Sequence, residues 1–110
     1  MNRFDLLGNV TKDIETSKAG DATVARFQLA INRPFKNKEG NYDTDFVWVK
    51  AWNKDAENIA KFVKKGDKLR VEGRIQTSTT EKDGEKQYFT DLVVTSYELL
   101  GKKPETTESK

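Results

Sequence analysis

Phe4, Leu6, Gly8 and Val10 alternate with Asp5, Leu7 and Asn9, and this period of two predicts a strand over residues 3–11. Residues 12–21 are polar, with Gly20 a turn signal and Ile14 able to join a short strand. ATVARFQLAINR, residues 22–33, alternates again: Ala25, Phe27, Leu29 and Ile31 share one face, and Val24, Arg26, Gln28 and Ala30 the other. Pro34, lacking a backbone N–H, is expected to stop this second strand. PFKNKEGNYD, residues 34–43, reads as a charged loop with its tip near Gly40 and Asn41. A third strand is expected over 44–52. Phe46, Trp48, Lys50 and Trp52 point one way, and Val47, Val49 and Ala51 the other.

The period then changes. Ala56, Ile59, Phe62 and Val63 recur at helical spacing within residues 53–66. Asn53 is the expected N-cap. Asp55 and Glu57 suit the positive end of the dipole, Lys64 and Lys65 the negative end, and Gly66 the left-handed position after the helix. A helix of about three turns is marginal alone and must lie on the sheet. Residues 67–77 return to alternation, with Leu69, Val71, Gly73 and Ile75 inward and Lys68, Arg70, Glu72 and Arg74 outward. Residues 78–86 read as a hairpin loop around the turn pair Asp83-Gly84, and 87–99 as the last strand. The end, GKKPETTESK, reads as a short disordered tail over 101–110.

Five strands with one short helix between the third and fourth match an all-β OB-fold, a five-stranded Greek-key barrel, as a single domain over residues 1–100. The helix then plugs one end of the barrel. The narrow face of Val47, Val49 and Ala51 belongs to the core, which turns Phe46, Trp48, Lys50 and Trp52 outward.

Composition narrows the chemistry. The chain of 110 residues has no cysteine and no histidine, which removes thiolate nucleophiles, disulfides, Cys/His zinc sites and histidine acid–base catalysis. No apolar run is long enough to cross a membrane and the first residues lack a signal peptide, so a cytoplasmic protein is expected. A net charge of +2 is slight, so a nucleic-acid partner requires the positive charge to be gathered on one side. Asp43 with Asp45, and Glu81 with Asp83, are acidic pairs without a phosphate-cradling loop or a base beside them, and no metal or other cofactor is expected.

Outward aromatic rings on a rigid strand are platforms for unpaired bases, each stack worth about 1–3 kcal/mol by ring removal and indifferent to sequence. Interleaved cations meet phosphates. Lys50 lies among the rings, and Phe35 beside Lys36 and Lys38 repeats the arrangement of ring next to base. Arg26, Lys54 and Arg74 extend the track. The same aromatic face fits a buried core or a subunit interface, and the loop lysines fit solvated charges. An OB module that binds RNA or a replication protein of the primosome type would use the same face. A small nuclease on the same barrel is the third reading, disfavoured by the missing histidine and cysteine.

NRFDLLGNVTKDIE, VARFQLAINRPF, TDFVWVKAWNKDAENIAKFVKKGD and LRVEGRIQT, in this order and spacing, resemble the bacterial-type single-stranded DNA-binding proteins of bacteria, plasmids and phages. The resemblance covers residues 2–100. It implies an OB-fold without enzymatic activity or cofactor, assembled as a homotetramer. It implies single-stranded DNA wrapped on that tetramer during replication, recombination and repair. The family's stacking positions fall on Phe35, Phe46 and Trp52. Trp48 is added from its own place on the strand. The fourth family aromatic falls on Thr80, which has no ring, so the hairpin is expected to bind DNA less tightly than is usual in the family unless Tyr88, or Lys82 and Lys86, substitute. Arg3 and Arg33 complete the expected phosphate contacts. The first strand, Asn2 to Asn9, is expected to pair subunits by edge addition. In the family an acidic tip with an aromatic residue recruits replication and repair proteins; GKKPETTESK has two glutamates and no aromatic, so recruitment through such a tip is not expected here.

Overall fold

The computed structural model describes residues 1–101. Six strands and one helix follow in the order β1 (Phe4–Val10), β2 (Thr16–Ala19), β3 (Ala22–Lys36), β4 (Tyr42–Trp52), α1 (Asn53–Phe62), β5 (Lys68–Lys82) and β6 (Glu85–Gly101). Five of the strands close a ring. β1 pairs with β5, β5 with β6 and β3 with β4, all antiparallel; β6 meets β4 in parallel. Two pairs, Asn9 with Ala30 and Val10 with Leu29, join β3 back to β1 and close the barrel. The expected OB topology is therefore present. β2 lies outside the ring, a short hairpin arm on β3, and Ile14 is buried in the segment before it.

The narrow faces build the core. Ala25, Phe27 and Leu29 of β3, Val49 and Ala51 of β4, and Leu69 and Val71 of β5 are buried. Each Val, Leu or Phe side chain so buried stabilises the fold by about 1.5–3 kcal/mol over its exposed state. Ala56 and Ile59 of α1 and Val63 just after it are buried with them, so the helix closes one end of the barrel.

Several boundaries differ from the sequence reading. β3 does not stop at Pro34 but runs to Lys36. The register with β4 shifts between Asn32 and Lys36, and the proline sits in that break, where no ladder donor is demanded of it. The loop beyond shrinks to residues 37–41, where the Asn37 side-chain oxygen accepts the backbone N–H groups of Glu39 and Asn41. Asn53 is not the N-cap. Trp52 holds that position, with no side-chain cap, while Asn53 adopts φ 57° and its Oδ1 accepts the N–H of Thr23 on β3. The helix ends at Phe62, short of Lys64, Lys65 and Gly66. Those residues turn the chain back to the barrel: the Lys65 N–H donates to Asp13, and the Gly66 N–H, at φ 91°, to the Val10 carbonyl. Phe62 is half-exposed rather than core.

The largest difference is the expected loop over 78–86. Residues 78–82 belong to β5 and 85–86 to β6, and only Asp83 and Gly84 form the turn. Both have positive φ, 54° and 79°, as a two-residue hairpin turn of the mirror-image type demands. A long two-stranded ribbon results. Ile75, expected inward, is exposed because it lies beyond Gly73, on the stretch of β5 that leaves the barrel. The expected tail, residues 102–110, falls outside the described residues.

Candidate nucleic-acid interface

The register of β3 against β4 builds one continuous outer face. Trp52 stands opposite Val24, Lys50 opposite Arg26, Trp48 opposite Gln28 and Phe46 opposite Ala30. Residues directly opposite share a face. Phe46 is 60% and Trp48 52% exposed, whereas Val49 between Trp48 and Lys50 is 1% exposed. Trp52 is half-buried at the mouth of the helix. Phe35, 62% exposed, lies farther out on the β3–β4 arm, with Tyr42 also exposed and the Lys36 ammonium 5.9 Å from the Tyr42 ring centre.

β4 and β6 share a single register pair, Lys50 with Val93. On the N-terminal side of that pair the strands part and leave a cleft of about 380 Å³, lined by Arg26, Trp48, Lys50, Thr90, Asp91 and Leu92. One wall is the aromatic strand. The other is the base of the ribbon.

The cations divide into two groups. Arg26, Lys36, Lys38, Lys54 and Arg74 are exposed and make no ion pair among the described residues. Arg3, Arg33 and Lys50 are engaged. Arg3 meets Glu72 at 2.8 Å on the β1–β5 side of the barrel, within a network that includes Asp5 and Arg70. Arg33 grips Asp45 through Nε and Nη2 at 3.1 and 2.9 Å, with Asp43 at 3.8 Å. That fork holds the Asp45 carboxyl below its ordinary range and raises the Arg33 guanidinium, first by hydrogen bonding and then by charge. Lys50 lies 3.1 Å from Asp91 and 5.5 Å from the centre of the Trp52 ring.

Strand alternation places Tyr88, 75% exposed, on the ribbon face opposite that of Phe89 and Asp91. Asp91, Phe89 and Tyr42 were missed by sequence reasoning. The Asp83-Gly84 turn carried part of the signal: a two-residue turn sets the pairing of Gln76 with Asp91 and Ser78 with Phe89 along the ribbon. Nothing local in the sequence brings Asp91 to Lys50, 41 positions away. Among the described residues no group of three or more acidic, histidine or cysteine side chains could hold a metal ion.

The face has the chemistry of a surface for single strands: rings for bases, cations beside them, and a cleft between. Comparison with known proteins shows the family. The Single-strand binding protein family model matches residues 1–100. Single-stranded DNA-binding protein 3 of Listeria innocua is 47% identical over 106 residues, covering 94% of this chain and 66% of that protein. Single-stranded DNA-binding protein 1 of Streptococcus pyogenes is 37% identical over 111 residues, covering 99% of this chain and 85% of that protein. The chain spans less than two thirds of the length of several curated relatives, among them one from Oceanobacillus iheyensis, of which it covers 63%. In fold it is similar to the crystal structure of a small single-stranded DNA-binding protein from Streptomyces coelicolor, with a TM-score of 0.65 at 21% identity over 88% of this chain and 92% of that one. By the match over residues 1–100 and by these relatives, the chain belongs to the single-strand binding protein family.

Proposed function

We propose that the chain binds and protects single-stranded DNA without regard to sequence, in replication, recombination and repair, as a non-enzymatic cytoplasmic protein. The observation that carries this reading is the outward presentation of Phe46 and Trp48 from a strand whose other face is core. Large rings left half-bare on a rigid strand have free surface on which to stack, and every base offers them a π-face. Phe35, Phe46, Trp48 and Trp52 are the stacking platforms, with Tyr88 a further ring on the ribbon. Arg26, Lys36, Lys38, Lys54 and Arg74 supply phosphate contacts. Arg3 and Arg33 join them only by leaving their carboxylates.

Assembly as a homotetramer is part of the same reading. On its β3 side, β1 is paired only through Asn9 and Val10, which leaves the earlier part of that edge for strand addition by a second copy.

Equilibrium binding to oligo-dT, to the matched RNA and to duplex DNA tests the function. The expected result is tight binding to oligo-dT and weak binding to the duplex. Preference for the RNA overturns the DNA assignment in favour of an RNA-binding OB module. Sedimentation of the free protein tests the tetramer.

A further inference from the structure

Lys50 stands at the centre of the aromatic face, yet its side chain is only 14% exposed. Two groups hold it there. Asp91, reaching across from the base of the ribbon, places Oδ2 3.1 Å from the ammonium. The Trp52 ring centre lies 5.5 Å away. Arg26 sits directly opposite Lys50 in the β3–β4 register. Two like charges so placed repel. Asp91 offsets one of them and leaves Arg26 exposed at the lip of the cleft, with no ion pair among the described residues. A carboxylate repels phosphate, so Asp91 is not itself a contact for the DNA backbone. Its position is accounted for by what it does to the lysine.

We infer that Asp91 is a positioning residue that keeps Lys50 off the DNA backbone and clamps it to Trp52, so that Lys50 orders a stacking ring instead of contacting phosphate. The inference rests on single-stranded DNA binding at this face and gives it a division of labour. Arg26 meets phosphate, and Lys50, although a lysine among the rings, does not. The ammonium over the indole limits the swing of a half-buried ring that has solvent on one side. The carboxylate beside the cleft steers the backbone away from β6, so that bases rather than phosphates enter between Trp48 and the ribbon.

The test is the salt dependence of oligo-dT binding in the wild type, Lys50→Met, Asp91→Asn and the double variant. A phosphate contact on a single strand contributes about 0.7 to the slope of log affinity against log salt. Lys50→Met is expected to leave the slope unchanged. Asp91→Asn, which frees the ammonium, is expected to steepen it by about 0.7, and the double variant to return it to the wild-type value. A slope lowered by about 0.7 in Lys50→Met overturns the inference, because Lys50 then already meets phosphate. So does an unchanged slope in Asp91→Asn.

A second readout needs no DNA. In a Trp48→Phe background the emission of Trp52 is expected to shift, and its quenching by acrylamide to rise, on adding either Asp91→Asn or Lys50→Met. No change in either disproves the clamp. Failure of the wild type to bind oligo-dT contradicts the functional reading instead, and leaves the fluorescence of Trp52 to decide the contact.

Discussion

A Cβ built on Gly73 would lie 1.8 Å from the carbonyl oxygen of Val93, the residue before its register partner Val94 on β6. The two strands approach so closely at the register shift between Glu72 and Gly73, where β5 turns from barrel wall into ribbon. Backbone, not a flexible side chain, blocks the position. Gly73→Ala is therefore expected to destabilise the domain by about 1–3 kcal/mol or more, through forced overpacking. Urea unfolding followed by circular dichroism measures it, and a midpoint equal to that of the wild type contradicts the geometry.

The two faces of β4 make opposite predictions. Val49→Asp puts an unpaired charge among Phe27, Leu29 and Leu69 and is expected to abolish folding. Trp48→Ala removes a half-exposed ring and is expected to leave the fold intact while weakening single-strand binding by about 1–3 kcal/mol. A folded Val49→Asp variant, or an unfolded Trp48→Ala variant, would invert the assignment of core and binding face.

Arg26 is the exposed cation nearest the centre of the face. Arg26→Ala is expected to reduce the salt slope of oligo-dT binding by about 0.7, the share of one phosphate. Stability should stay within about 0.5 kcal/mol of the wild type, as for most surface changes. An unaltered slope would remove Arg26 from the phosphate track.

The fork between Arg33 and Asp45 predicts a pH signature on the β3–β4 arm. The Asp45 carboxyl is held below its ordinary range in the folded chain. A depressed carboxyl contributes its pairing in full above the unfolded value, and loses it as pH falls through the folded one. The arm should thus stay pinned at neutral pH and release only in acid below the usual aspartate range. Carboxyl carbon chemical shifts followed by NMR give the midpoint for Asp45. Arg33→Ala should return it to the ordinary value, and a midpoint already ordinary in the wild type would mean the fork does not persist in solution.

Alternation made most of this barrel legible in the sequence. Val49 and Ala51 against Trp48 and Lys50, or Phe27 and Leu29 against Arg26 and Gln28, separate core from surface by parity alone. The closure of the ring was legible only through strand order, since the pairing of β1 with β3 joins residues about twenty positions apart by two pairs. Polar strands were the weak point. Ser78, Thr79 and Thr80 bury nothing and alternate with nothing apolar, so their ladder with Phe89, Tyr88 and Gln87 left no hydrophobic signal. Pro34 misled for the opposite reason: a residue without an N–H ends a regular ladder, but the irregular register there already spared it. At the site, the rings and lysines were readable and their partners were not. The carboxylates that occupy Arg3, Arg33 and Lys50 reach them through tertiary or cross-strand contacts that composition cannot disclose.

The most direct test of the central claim is intrinsic tryptophan fluorescence during titration with oligo-dT, at low and high salt, with duplex DNA as the control. Trp48 and Trp52 are the only tryptophans and both lie on β4. Strong quenching by the single strand, absent with the duplex and displaced to higher oligo-dT concentration by salt, is the expected result. Emission unchanged by a single strand shown by another method to be bound would contradict stacking on β4 and place the DNA elsewhere on the barrel.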